Sequence, residues 1–89
     1  MSDPVRIGVL GRGTVGGAFA SLLEERAEAV AAATGRRPEV SGVLSRSEGD
    51  FAEILAASDL IVELIGGTEP ARDYVLESLR AGVPVVTAN

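Results

Sequence analysis

The sequence predicts an α/β fold: a parallel sheet of four strands in the order 2-1-3-4, with helices on both faces. Three observations predict it. Short apolar runs alternate with stretches of helical periodicity, giving β-α-β-α-β-α-β along 89 residues. Aromatic residues make up only 3%, while Ala, Val, Leu and Gly dominate, a mixture suited to helices packed tightly on a parallel sheet. A glycine cluster falls between the first strand and the first helix, where open α/β sheets reverse their strand order. Placing the switch point there gives the order 2-1-3-4, with right-handed crossovers.

Each element has its own signal. Val5–Leu10 is a short strand ending in glycines. Val15, Phe19, Leu22, Leu23, Ala27 and Val30 then recur at the spacing of one helix, which Gly35 stops and Pro38 follows. Val40–Leu44 is the second strand. Asp50 and Glu53 form a capping-box pattern that opens a short helix through Phe51, Ile54 and Leu55. Asp59 precedes the third strand, Leu60–Ile65. Gly66 to Pro70 turns into a third helix, with Pro70 in its first turn. Ala71, Val75 and Leu79 are its expected buried face, and Gly82 is its end. Val83–Thr87 is the fourth strand. Glu24, Glu25, Arg26 and Glu28 belong to a solvated helix face, and Tyr74 is expected at a helix surface or interface. No repeat or linker interrupts the chain, so residues 1–89 form one domain.

Composition narrows the chemistry. Hydrophobic residues reach 46% and charged residues 24%, enough for one core. Cysteine and histidine are absent and all eight basic residues are arginine. Disulfides, thiolate or imidazole metal sites, a Schiff-base lysine and a lysine or histidine general base are therefore excluded within these residues. The net charge of −5 argues against a nucleic-acid surface. No apolar run approaches a membrane span, and Met1-Ser2-Asp3-Pro4 lacks a signal-peptide pattern. A soluble, cytoplasmic protein is the expectation.

Gly11-Arg12-Gly13-Thr14-Val15-Gly16 matches G-x-G-x-x-G. Alone the pattern is weak; after a strand and before a helix it predicts a Rossmann-type three-layer fold that binds a dinucleotide. Gly11 permits the tight turn, Gly13 lets backbone approach a pyrophosphate, and Gly16 lets the helix pack closely on the strand. The first helix carries no carboxylate from Thr14 to Leu23, whereas the second opens among Glu48, Asp50 and Glu53 and the third among Glu69 and Asp73. Only the first leaves its positive end to an outside anion. The plain alternative is a tight strand-to-helix turn with no ligand.

The end of the second strand reads the cofactor. A fold preferring NAD places Asp or Glu there for the ribose hydroxyls. Here the residues are Leu44-Ser45-Arg46-Ser47, and Arg46 offers a forked contact to a 2′-phosphate. Arg12 is a second cation in reach; an ordinary surface charge is the plain alternative for both, weighing more on Arg12 than on Arg46. NADP is therefore favoured over NAD, with Glu48 keeping dual use open.

Gly11–Gly16, then Val62-Glu63-Leu64-Ile65-Gly66-Gly67 with Glu69-Pro70-Ala71-Arg72, then Val85-Val86-Thr87-Ala88-Asn89, resemble homoserine dehydrogenase. The resemblance runs from Val5 to Asn89, as that enzyme's N-terminal nucleotide-binding domain. It implies NAD(P)-dependent interconversion of L-homoserine and L-aspartate 4-semialdehyde, on the route to threonine, methionine and isoleucine. It also implies that Gly11 to Gly16 hold the pyrophosphate and that Arg46 lies by the adenosine ribose. Ile65, Gly66 and Thr87 would approach the nicotinamide. In two respects the sequence departs from the family. The stretch between the second strand and Leu60 is shorter than the family's, so an edge strand is expected to be missing. The family motif continues past Asn89 into a lysine that serves the chemistry, so these 89 residues are expected to hold the cofactor half and no catalytic residue.

Glu63 near the end of an apolar strand invites an acid/base role. The favoured reading is a carboxylate reaching the solvated sheet edge and accepting from backbone N–H groups there. The last strand leaves an apolar edge, which keeps a homo-oligomer open as a partner. Against the dehydrogenase stand two other classes, a non-catalytic dinucleotide sensor and a minimal Rossmann interaction module.

Overall fold

The computed structural model describes residues 4–11, 14–45, 49–65 and 71–87. Four strands, β1 (Val5–Leu10), β2 (Pro38–Leu44), β3 (Leu60–Glu63) and β4 (Val85–Thr87), form one parallel sheet in the order β2-β1-β3-β4. This is the expected 2-1-3-4. Helices α1 (Val15–Glu25) and α2 (Ala27–Thr34) follow β1, α3 (Phe51–Ala56) follows β2, and α4 (Ala71–Arg80) follows β3.

Alternation along the strands divides the apolar side chains between two faces. Ile7, Val9 and Val62 meet Phe19 and Leu23 of α1. Leu10, Leu44 and Ile61 meet Ile54 and Phe51 of α3 and Tyr74 of α4. The sheet is thus the middle of three layers. Val9, Leu10 and Ile61 are fully buried, each contributing about 1.5–3 kcal/mol from lost apolar surface.

The helices differ from expectation in two places. The single helix expected from Val15 to Val30 is two, because Arg26 leaves helical geometry at φ −96°, ψ 2°. The bend lets Ala27 enter the core, while Gly35, at φ 82°, ends α2 in the left-handed cap expected of it. On α4 the buried residues are Ala71 and Ser78, with Tyr74 between them, and Leu79 is 55% exposed. Eight residues of a 3.6-residue turn rotate Leu79 by about 80° away from Ala71, so the 71, 75, 79 stripe drifts out of the core. Tyr74 is correspondingly a packing residue, its ring 4.5 Å from that of Phe51. Gly82 ends α4 in a Schellman motif: its N–H donates to Leu79 O and that of Val83 to Ser78 O.

The strand bounds also shift. Pro38 opens β2 two residues early, on an edge where its missing N–H costs nothing. β3 closes at Glu63, and β4 begins at Val85.

One short helix is seated by two glycines. A Cβ on Gly8 would lie 2.7 Å from Ile54 Cγ2, and one on Gly42 would lie 2.8 Å from Ile54 Cγ1. Neighbouring strands thus open one hole for one α3 side chain. Between them β2 bulges: Ile7 pairs with Val40 and Gly8 with Gly42, leaving Ser41 over. Ser58 donates its single proton to Ile54 O at 2.6 Å, so in the 2.6 Å contact between Ser41 Oγ and Ser58 Oγ the donor is Ser41. Gly8→Ala is expected to cost about 1–2 kcal/mol by overpacking against these side chains. A urea midpoint equal to that of the parent chain would contradict this packing.

At the opposite end of the sheet from the glycine turn, Arg6 and Asp59 clasp β1 to β3. The Arg6 N–H donates to Asp59 Oδ2 at 2.8 Å, Asp59 N–H returns a bond to Arg6 O at 2.7 Å, and the guanidinium reaches Oδ1 at 3.3 Å. The backbone N–H, helped by the guanidinium, holds the Asp59 carboxyl below its ordinary value of about 3.9. A carboxyl lowered in the folded state adds stability above its ordinary value and loses it as pH falls through the lowered one. Asp59→Asn is therefore expected to flatten the acid limb of stability against pH, followed by urea melts from pH 7 downward. An unchanged acid limb would show that the clasp carries no such linkage.

Candidate functional site

The carboxyl ends of three strands are tied together at the glycine turn. Gly11 N–H donates to Leu44 O at 2.9 Å, joining β1 to β2, and Leu64 N–H donates to Leu10 O at 2.7 Å, joining β1 to β3. A Cβ on Gly11 would lie 2.4 Å from Gly16 Cα and 2.6 Å from Gly16 N. A Cβ on Gly16 would meet Gly11 Cα at 3.0 Å and Val43 Cγ1 at 3.3 Å. Strand end and helix start are therefore in backbone contact. Gly11 does not have positive φ, so the demand on it is space rather than the turn geometry expected from the sequence.

This contact sets the first turn of α1 over the end of β1. Thr14 is the N-cap residue, its side chain makes no capping bond, and the first turn holds no acid. Elsewhere such positions are filled: Asp50 accepts from Glu53 N–H at α3, Glu28 lies in the first turn of α2 and Asp73 in that of α4. Thr14 and Val15 are exposed at the open end. Val15 is 55% exposed; the face that packs is Gly16, Ala20, Phe19 and Leu23. First-turn N–H groups, which have no partner within the helix, the positive end of the helix dipole and a pair of glycines without side chains fit a pyrophosphate. A carboxylate there would have argued against it.

Other expected site residues divide into two groups. Arg12, Gly13, Arg46 and Gly66 lie outside the described residues. Ile65 is half-buried against the Leu10–Ile61 core, and Thr87 is exposed at the end of β4. Among the described residues no group of acids could hold a metal ion, and no helix is long and apolar enough to cross a membrane.

Glu63 departs from the solvated carboxylate expected of it. It is 2% exposed, and its Oε1 accepts a 2.8 Å hydrogen bond from Thr87 Oγ1. The two residues are register partners on β3 and β4. Sequence reasoning missed the pairing because it spans 24 residues and depends on parallel register. The available signal was a carboxylate and a hydroxyl at equivalent carboxyl ends of neighbouring strands.

Residues 11–89 match the family model described as homoserine dehydrogenase, NAD binding domain. The chain belongs to the homoserine dehydrogenase family. The homoserine dehydrogenase of Neisseria gonorrhoeae is 36% identical over 101 residues, covering 97% of this chain and 23% of the relative. That of Pseudomonas aeruginosa is 36% identical over 100 residues, with the same coverage. The crystal structure of a homoserine dehydrogenase from Thiobacillus denitrificans aligns with a TM-score of 0.84 at 34% identity, over 97% of this chain and 23% of that one. The Staphylococcus aureus homoserine dehydrogenase at pH 8.5 aligns with a TM-score of 0.82 at 28% identity, over all of this chain and 26% of that one. The chain thus spans about a quarter of the length of the homoserine dehydrogenases it matches, and corresponds to their NAD-binding part. Among the three functional classes, these likenesses favour the dehydrogenase over the sensor and the interaction module.

Proposed function

We propose that these residues bind NADP, and less tightly NAD, for the oxidoreduction of L-homoserine and L-aspartate 4-semialdehyde. The observation that carries the proposal is the backbone contact between Gly11 and Gly16 at a helix start with neither a capping bond nor an acid. Gly11, Arg12, Gly13, Thr14, Val15 and Gly16 would hold the pyrophosphate through N–H groups and the helix dipole. Arg46 would take the 2′-phosphate, and Ile65, Gly66 and Thr87 would border the nicotinamide. When bound, the dinucleotide supplies the hydride acceptor or donor. The protein's own contribution here is to bind and orient. Neither lysine nor histidine is present among the 89 residues to move a proton.

Calorimetric titration of the 89-residue chain tests this. NADPH should bind at one saturable site and raise the thermal midpoint, by about 2.7 kcal/mol of added stability at a hundred times Kd. The same chain should show no L-homoserine oxidation with saturating NADP+, because its 89 residues include neither lysine nor histidine to take the proton. Turnover by purified material would overturn the assignment to binding alone. Absence of binding to a folded chain would overturn the cofactor assignment.

A further inference from the structure

The outer strands of a sheet decide what it can join, because each turns N–H and C=O groups away from its neighbour. The two edges of this sheet are built differently. On β2 stand Pro38, the exposed Glu39 and the bulge that leaves Ser41 over, three devices that block a further strand. β4, Val85-Val86-Thr87, has none of them. Ile61 N–H donates to Pro84 O at 3.0 Å, so the alternation of a parallel ladder turns the N–H and C=O of Val85 away from β3. Among the described residues no strand lies beyond them.

Apolar side chains flank this edge on both faces of the sheet. One flank of α4 faces α3, where Tyr74 meets Phe51 and Glu77 borders a gap with Ala52 and Leu55. At about 100° per residue, Leu76 and Leu79 occupy the other flank, on the β4 side, and both are exposed. Val86, also exposed, projects from the opposite face beside its register partner Val62.

Helix spacing shows which partner fits. α4 packs on both β3 and β4, so its axis lies about half a strand spacing inside β4. A second β4, added antiparallel about 4.8 Å beyond, brings its own α4 on the same face of the joined sheet. The two helix axes then stand about 9.6 Å apart, within the range of about 8–10 Å at which helices pack. The helices run antiparallel, so Asp73 in the first turn of each comes beside Arg80 in the last turn of the other.

We propose that β4 and the Leu76–Leu79 flank of α4 dock a second copy of this chain, edge to edge about a two-fold axis, in one continuous sheet. Because β2 is blocked, the assembly closes at two. The inference is independent of the dinucleotide reading.

Sedimentation equilibrium of the 89-residue chain tests it. The mass should rise with concentration from 9.1 kDa to twice that and no further. Half-association is expected on the order of 10–100 µM, as suits an interface of modest area. Val86→Lys adds the charge that natural edges carry, and Leu79→Glu puts a carboxylate on the helix flank; each should weaken the dimer by about tenfold or more. Leu22→Glu replaces a comparably exposed leucine on α1 and should leave the dimer within about twofold. All three side chains are exposed, so far-ultraviolet circular dichroism of the variants should match that of the parent. A monomer throughout would leave the edge to a strand of a longer polypeptide or of another protein, and would overturn the inference. Assembly beyond the dimer, or a loss in Leu22→Glu as large as in the other two, would overturn it as well.

Discussion

Gly11→Ala is expected to destabilise the domain by about 3 kcal/mol and to remove measurable dinucleotide binding. The new methyl would stand 2.4 Å from Gly16 Cα and 2.6 Å from Gly16 N. Both are backbone atoms, so no rotamer change can relieve the contact, and the start of α1 must move off the strand. That movement also carries away the N–H groups that would meet the pyrophosphate, so stability and affinity fall together. Small domains possess about 5–15 kcal/mol in total, which makes the loss a large share. Gly17→Ala is the matching control. Its Cβ meets nothing within 4 Å on the next residue of the same helix. There alanine should stabilise by about 0.5–1 kcal/mol through helix propensity, with binding unchanged. Urea denaturation and NADPH titration of the two variants check the pair. Equal behaviour would show that the glycine turn is not a close contact.

Arg46→Ala is expected to weaken NADPH by about 1.5–3 kcal/mol, roughly 10- to 150-fold, and to leave NADH nearly unaffected. The motive is the stretch Leu44-Ser45-Arg46-Ser47, which ends β2 without the acid that a ribose 2′-hydroxyl would need. Leu44 O is bonded to Gly11 N–H, so the end of β2 is held beside the glycine turn and the chain leaves it there. A guanidinium on the residue after next can offer two parallel donors to a phosphate and has no comparable partner in NADH. Parallel titrations with the two cofactors measure the difference. Equal losses would assign Arg46 to the shared pyrophosphate or to packing instead.

The parallel fold was legible because its signals are local. Val5–Leu10 reads as a strand, Gly35 and Gly82 mark helix ends, and Asp50 with Glu53 marks a helix start. Each of these rests on neighbours within a few residues, and the structure places each where the sequence puts it. The strand order followed from a single inference about the glycine turn. What stayed hidden depends on partners far along the chain. Nothing near Arg26 announces a helix bend, because the bend answers to the burial of Ala27. The spacing of Ala71, Val75 and Leu79 suggested one stripe, but Ser78 and Tyr74 occupy the core-facing positions. Gly8 and Gly42 look like weak strand residues until Ile54 is seen filling the hole above both. Likewise the solvated edge expected for Glu63 gave way to a buried bond across the parallel register. In the site itself, the open helix end was readable from charge placement alone, whereas the Glu63–Thr87 bond required the sheet.

The proposed dinucleotide site lies across the carboxyl ends of the strands, at the glycine turn. Amide chemical-shift mapping during an NADPH titration of isotope-labelled chain measures it most directly. The largest changes are expected at Gly11 to Gly16, at Ser45 and Arg46, and at Ile65 and Thr87, with Arg6, Arg36 and Asp59 at the opposite end unmoved. Changes centred on that opposite end, or a folded chain whose amides ignore saturating NADPH, would contradict it.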